Sequence, residues 1–237
     1  MTVVLAAVVG ALVVVQEQRQ TDQVSAADAA AQAYAADVSA FRGEVARQIR
    51  GTRTAEPAAL RRVLTKAVAD PPRLAAAPTT GARGSASYAA AQETAAGLLR
   101  PYRRLDRVLA RAAVARTFIE EARAVLALRA SDHVGSTTLS DSGPVRSRLI
   151  PAFAAARDRF ATVRVPRGQD RLAATIRDAV QHVIDRATTL AASIEANRSF
   201  SFTYAEEYRA AAAAVDGYAA VVDGDVTEAV DAVLDAR

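Results

Sequence analysis

Apolar residues recur three or four positions apart along most of this chain, the spacing that places side chains on one face of an α-helix. In the clearest case five large residues are separated by four, three, four and four positions: Tyr34, Val38, Phe41, Val45 and Ile49. No segment shows a convincing alternation of apolar and polar residues with the period of two that a half-buried strand requires. The pattern therefore predicts an all-α protein.

Helix-breaking residues divide the periodic segments. Breaks are predicted at 51–56, in a Pro- and Gly-rich loop at 71–85, in a second loop at 131–143 and at a tight connection over 165–168. The segments between these breaks predict five to seven helices. Because short connections make neighbouring helices antiparallel, we expect an elongated antiparallel helical bundle that follows an N-terminal apolar anchor helix. Residues 16–237 are predicted to form a single all-helical domain.

Several residues predict individual helix starts. Pro57 and Pro144 fit the first turn of a helix, since the N–H that proline lacks would be unpaired there anyway. Ser85 or Ser87 fits an N-cap. Pro101 is expected either to kink or to divide the helix that contains it.

The C-terminal region carries a further start and a stop. Thr203 and Glu206 match the T-x-x-E capping box, which predicts a helix that begins near Tyr204. Gly224 predicts the end of that helix, and Asp225 predicts the start of a separate last helix.

The chain opens with an uninterrupted apolar run, Val3–Val15. As a helix this run rises about 20 Å, which is short of the roughly 30 Å hydrocarbon core of a bilayer. It has no polar side chain to face water, which argues against a buried helix of a soluble protein. No small-x-small cleavage site follows it closely. We therefore expect residues 1–15 to be a membrane anchor, in the form of an uncleaved signal-anchor.

The run also lacks the basic residues that normally precede such a segment. A start upstream of Met1, or a chain cut at that point, explains both the missing basic leader and the short span, so a truncated anchor is the expectation. With a leader restored, the positive-inside rule places the body outside the cytoplasm; without one, Arg19 would place it inside. We expect a single-pass protein of the cell membrane with an extracytoplasmic body.

Composition narrows the source and the partners. Lys66 is the sole lysine and Asn197 the sole asparagine, whereas arginine and alanine, which have GC-rich codons, abound. A high-GC bacterial source is expected. The net charge is +4, but residues 216–237 are rich in acids, which leaves about +9 on the preceding body. A basic body favours acidic partners unless the acidic segment docks on it. The absence of cysteine excludes disulfides and thiolate metal sites.

Patterns for catalysis or cofactor binding are missing. His133 and His182 have no partner at metal-ligand spacing, and the acidic pairs Glu120–Glu121 and Glu206–Glu207 are not part of an E-x-x-H motif. The segment 79–85 precedes a predicted helix but lacks the GK[ST] ending of a phosphate loop. We therefore predict a protein that is not an enzyme, with no catalytic residue, no metal site and no cofactor.

A basic stripe runs along one predicted helix. Four of its arginines are separated by four, three and four positions, and a fifth lies alongside: Arg100, Arg104, Arg107 and Arg111, with Arg103. They share roughly one helix face and would suit lipid phosphates, nucleic acid or an acidic partner helix. The alternative is a solvated face paired with Asp106 and other acids. No nucleic-acid-binding motif accompanies the stripe, so no nucleic-acid partner is expected.

Aromatic residues concentrate where one predicted helix gives way to the next. The cluster and its neighbouring arginine are Arg198, Phe200, Phe202, Tyr204 and Tyr208. Aromatic side chains and arginine dominate binding hot spots, so this is the candidate partner or ligand patch. The alternative is a hydrophobic plug at the turn between two helices.

Together these features predict a non-catalytic, membrane-anchored helical-bundle protein that acts through protein–protein contacts. An accessory or scaffold subunit of a bacterial envelope complex fits this description. The alternative is an extracytoplasmic ligand-binding or sensory domain, although the chain has no second apolar span through which a sensor could signal. The oligomeric state and the partner's identity stay open.

Overall fold

The computed structural model describes residues 2–52, 56–135 and 140–235, without the side chains of residues 2–16. This part of the chain is all-helical and contains no strand. The prediction of an all-α protein is confirmed. The arrangement as an elongated antiparallel bundle stays a prediction.

The described residues form nine α-helices and one π-helical segment. In chain order they are α1 (Thr2–Gly51), α2 (Pro57–Ala67), α3 (Thr79–Gly84), α4 (Ala86–Gly97), α5 (Arg100–Leu126), α6 (Ser131–Val134), the π-helical segment (Val145–Leu149), α7 (Ile150–Ala161), α8 (Asp170–Glu195) and α9 (Ala205–Leu234). The prediction of five to seven helices was too low, because the short helices α3 and α6 lie in segments that were predicted to be loops.

Helix α3 forms where it meets α1. Gly81 of α3 is buried, and a Cβ atom at this position would collide with the backbone of Gln23 on α1. A six-residue segment of Thr, Gly, Ala and Arg has little helical tendency of its own, since short isolated helices are unstable in water. Its close approach to α1 is a tertiary contact that sequence periodicity does not reveal.

The local signals for helix starts in the first half of the chain are confirmed. Pro57 begins α2, and the Ser85 hydroxyl accepts a hydrogen bond of 2.9 Å from the backbone N–H of Tyr88 at the start of α4. Near Pro101 the helix is divided, since α4 ends at Gly97 and α5 begins at Arg100.

The predicted break at Gly224 is wrong. Helix α9 continues through Gly224 to Leu234, and this glycine does not adopt a positive φ. The buried residues Val215, Val222 and Val230 recur seven and eight positions apart along α9. Because a glycine inside a helix costs only about 1 kcal/mol, burial of this face outweighs it.

By contacts within the chain, the protein divides into two compact units. The first extends to Arg107 and includes the segment from Glu228 onward; the second is Val108–Thr227. The prediction of a single domain over residues 16–237 stays a prediction.

In the first unit, α1 packs against α3 and α4. The core residues of this contact are Ala27, Ala31, Tyr34, Val38, Tyr88, Ala91 and Leu98. The Tyr88 hydroxyl donates a hydrogen bond of 2.9 Å to the Ala75 carbonyl and accepts one of 3.1 Å from the Ala77 N–H. These bonds hold the segment before α3 against the helices.

In the second unit, α5, α7, α8 and α9 enclose the larger core. Its fully buried members include Phe118, Phe153, Ile176, Val180 and Val183. Alanines fill many of the remaining buried positions, as expected for helices that approach one another closely.

The predicted anchor, residues 1–15, lies outside the residues whose side chains the structure describes, although the backbone of 2–15 is part of α1. Among the described residues, no helix has the length and apolarity needed to cross a bilayer.

Candidate functional site

The basic stripe borders an open groove in the first unit, which we call the arginine groove. The groove lies between α2 and the start of α5 and encloses about 870 Å³. Its floor is apolar: Leu64 and Tyr102 are 1% and 4% exposed, and Val68 and Leu99 are half-buried. Its rim carries five arginines, namely Arg61, Arg100, Arg103, Arg104 and Arg107.

One carboxylate, that of Asp106, lines the arginine groove, and it already forms an ion pair with an arginine. Arg61 Nε lies 2.7 Å from Asp106 Oδ1, and Arg61 Nη2 lies 3.3 Å from Oδ2, so the pair is bidentate. This hydrogen bonding and the Asp106 charge raise the pKa of Arg61. The other four arginines of the rim are exposed and make no ion pair with any residue that the structure describes.

The fifth arginine of the predicted stripe does not line this groove. Arg111 is exposed on α5, but it belongs to the second unit. The structure adds Arg61 in its place. Arg61 was not among the residues predicted from the sequence, because no local pattern pairs a residue on α2 with Asp106, 45 positions away.

Within the second unit, two acids of the C-terminal segment pair with arginines that lie outside the basic stripe. Asp216 lies 2.7 Å from Arg123, and Asp223 lies 2.7 Å from Arg116. The acidic segment therefore docks in part on arginines of the same unit, as the alternative for the basic body supposed. These pairs use arginines that follow the stripe on α5.

The aromatic cluster lies largely within the core of the second unit. Tyr208 is 7% exposed, and the rings of Tyr204 and Tyr208 each lie within 6.4 Å of the Phe153 ring. Phe202 packs against Tyr204 with 5.5 Å between ring centroids, and the Tyr204 hydroxyl accepts a hydrogen bond of 3.0 Å from the Ala130 N–H. This packing is what the alternative, a hydrophobic plug, would require.

The outer part of the aromatic cluster is more accessible. The Arg186 guanidinium lies 4.4 Å from the centre of the Phe200 ring, which is a cation–π distance. Arg198 is exposed, and its backbone N–H donates to the Ser193 carbonyl. As a candidate patch, the cluster stays a prediction.

The two histidines lie apart from any metal-binding arrangement. His133 contacts the Phe153 ring at 6.1 Å, and His182 Nε2 lies 3.3 Å from Glu207 Oε1. Within the described ranges no group of three or more His, Cys, Asp or Glu residues could hold a metal ion.

No protein-family model matches the chain, and no curated protein or solved structure is similar to it at a significant level.

Proposed function

We propose that this chain is a non-catalytic, membrane-anchored protein that acts through protein–protein contacts, and that its arginine groove receives an acidic, amphipathic helix of the partner. Its place would be that of an accessory or scaffold subunit in a bacterial envelope complex, with the helical body outside the cytoplasm. The observation that carries the proposal is the row of four arginines that make no ion pair with a described residue, beside an apolar floor.

Such a row is unfavourable for an isolated protein. Arg100 and Arg104, and likewise Arg103 and Arg107, are four positions apart on α5, where like charges destabilise a helix. Arg100 is also the first residue of α5, and the positive end of the helix dipole disfavours a cation there. Negative charges from a partner would relieve both effects.

The shape of the groove favours a helix over a small head group. From Arg100 to Arg107 the rim extends about 10 Å along the helix axis, which is about two turns of a partner helix. One carboxylate or phosphate would meet only one or two of these guanidinium groups. An amphipathic helix would instead place apolar side chains on Leu64 and Val68 and acidic side chains along the rim.

Site-specific photo-crosslinking of the full-length protein in its native membranes tests this proposal. The photoreactive residue replaces Thr65, which lines the groove, or Arg62, which is exposed on α2 but does not line it. We expect one discrete adduct from position 65 and none from position 62. The adduct should disappear when Arg103→Glu and Arg107→Glu are combined.

A defined probe complements the crosslinking. A labelled helical peptide of leucine and glutamate should bind the full chain in detergent, and binding should weaken with salt, because exposed charges are screened. The same peptide with lysine in place of glutamate should not bind. Equal adducts from positions 62 and 65, or peptide binding that the double substitution leaves unchanged, would contradict the proposal. Binding to phosphatidylglycerol vesicles that survives removal of residues 2–15 and needs the same arginines would make the groove a lipid-contact surface instead.

A further inference from the structure

The C-terminal part of α9 presents a row of exposed residues to solvent, which we call the acidic face. Its members are separated by four, three and four positions: Val221, Asp225, Glu228 and Ala232. Residues with this spacing lie on one side of a helix. Val221 and Val165 are the large hydrophobic residues that the described part of the chain exposes, and Val221 is the more exposed, at 60%. The acidic face therefore combines an exposed apolar side chain with two carboxylates.

The two carboxylates of the acidic face differ from other acids of the same helix. Asp216 and Asp223 of α9 each lie 2.7 Å from an arginine of α5. Asp225 and Glu228 are exposed and make no ion pair with any residue that the structure describes. Negative charge without a described partner is thus aligned on α9, as positive charge is on the rim of the arginine groove.

The acidic face matches the arginine groove in spacing as well as in charge. The rim arginines that are four and three positions apart on α5 are Arg100, Arg104 and Arg107. The first three members of the acidic face have the same spacing. When the two helices run parallel, Asp225 falls beside Arg104 and Glu228 falls beside Arg107, because both helices rise equally per residue. Val221 then falls at the end of the groove that Leu99 lines.

We propose that the partner helix of the arginine groove is α9 of a second copy of this chain. The inference rests on the function proposed above for the groove, and it names the occupant. Asp225 and Glu228 of one copy would pair with Arg104 and Arg107 of the other, while Val221 covers part of the apolar floor. In a twofold dimer each copy offers one groove and one acidic face, so the same contact forms twice.

Charge complementarity favours a second copy over an unrelated acidic helix. Each chain carries one groove and one acidic face, so reciprocal docking neutralises both surfaces in equal numbers. The same contact removes the most exposed valine of the described chain from water, which burial of apolar surface favours.

Exchange of charge between the two surfaces tests the pairing by sedimentation equilibrium of the full chain in detergent. The groove variant combines Arg104→Glu with Arg107→Glu, and the face variant combines Asp225→Arg with Glu228→Arg. Each alone should weaken self-association by about tenfold or more, because like charges then meet. An equimolar mixture of the two variants should associate as wild type does, since every groove then meets a face of opposite charge. Misfolded variants would not recover on mixing.

Matched controls separate the contact from net charge and from general hydrophobicity. Glu120→Arg with Asp178→Arg changes the net charge as the face variant does, at two exposed acids on α5 and α8, and should leave self-association unchanged. Val221→Ser should weaken self-association by about tenfold, because less apolar surface is buried. Val165→Ser, at the other exposed valine, should not.

The photo-crosslinked adduct from position 65 distinguishes this inference from the function proposed for the groove. An adduct that joins two differently tagged copies of the chain supports the second copy. An adduct with a different protein, lost with Arg103→Glu and Arg107→Glu, would overturn the second copy and leave the groove as a site for an acidic helix. Absence of an adduct would overturn both. A wild-type chain that stays monomeric, or variants that do not associate on mixing, would overturn the second copy alone.

Discussion

Asp28 shows how single side chains connect the helices of the first unit. The Ser85 hydroxyl donates a hydrogen bond of 2.6 Å to Asp28 Oδ1, and the Ser87 hydroxyl donates to the same oxygen. Ser85 also caps α4 through the Tyr88 N–H, so one serine serves both contacts. The carboxylate of α1 is thereby joined to the first turn of α4.

This arrangement predicts a pH-dependent contribution to stability. The two hydroxyl donors hold the pKa of Asp28 below its usual range. Because the folded-state pKa is depressed, the contribution is present above the unfolded pKa of about 3.9 and is lost as the pH falls through the folded value. Asp28→Asn should therefore lower the melting temperature at pH 7, and the difference from wild type should shrink as the pH falls below the unfolded pKa toward the folded one.

The matched control is Asp37→Asn, because Asp37 is exposed on the same helix. Thermal melts between pH 3 and pH 7 compare the three proteins. A gap between wild type and Asp28→Asn that stays constant across this range would show that the carboxylate charge contributes nothing.

At the scale of elements, α9 is the helix where local signal and packing disagree. Gly224 and Asp225 together resemble a helix end followed by a helix start, yet the backbone stays helical from Ala205 to Leu234. A stop signal of this kind needs a glycine with positive φ at the helix end. In the described residues the glycines with positive φ are Gly135 and Gly168.

Because α9 continues through Gly224, it predicts whether substituting this glycine raises or lowers the stability of the protein. Gly224→Ala should stabilise the protein by about 0.5–1 kcal/mol, because alanine is the better helix former and its Cβ would meet nothing within 4 Å. Gly168→Ala, at φ 81° in the connection before α8, should instead destabilise it. Chemical denaturation measures both changes. Destabilisation by Gly224→Ala would mean that the helix does break there.

At the scale of the whole molecule, ion pairs between arginines and acidic residues are unevenly distributed. Paired arginines and acids occur in the second unit at Arg116–Asp223, Arg123–Asp216 and Arg146–Glu195. Exposed pairs of this kind are worth about 0.2–1 kcal/mol each. In the first unit, four of the five arginines of the groove make no ion pair with any residue that the structure describes. The excess positive charge of the chain is therefore concentrated where a partner could use it.

The anchor predicted from the sequence determines how the whole molecule should behave when membranes are extracted. We expect the full-length protein to resist extraction from membranes by alkaline carbonate and to be released by detergent. Deletion of residues 2–15 should move the body into the soluble fraction, because the apolar run no longer holds it. Protease added to intact spheroplasts should digest the body if it is extracytoplasmic.

Release of the full-length protein by carbonate alone would contradict the anchor. Protection of the body in intact spheroplasts, with digestion after lysis, would place it in the cytoplasm. The double substitution Arg103→Glu with Arg107→Glu is the control. It removes positive charge from the groove, which would weaken electrostatic attachment to a membrane, but it leaves the anchor unchanged.

The sequence by itself determined the fold class and most helix boundaries, because these depend on residues close together in the chain. Apolar spacing over 34–49 defines one face of a helix, and Pro57 and Ser85 act on the backbone within one turn. The sequence also located four of the groove's arginines, since they share one helix face. It did not indicate that an apolar floor from α2 lies beside them.

Only the tertiary structure decided what each local pattern faces. Phe153 and Ala130, from distant segments, contact Tyr204 and Tyr208 of the aromatic cluster, contacts that the sequence alone did not reveal. Gly81 lies in the segment that was predicted to be a loop, but it allows α3 to approach α1. The pairing of Arg61 with Asp106 arises from a contact between separate helices, and periodicity along one helix carries no information about the neighbour it will meet.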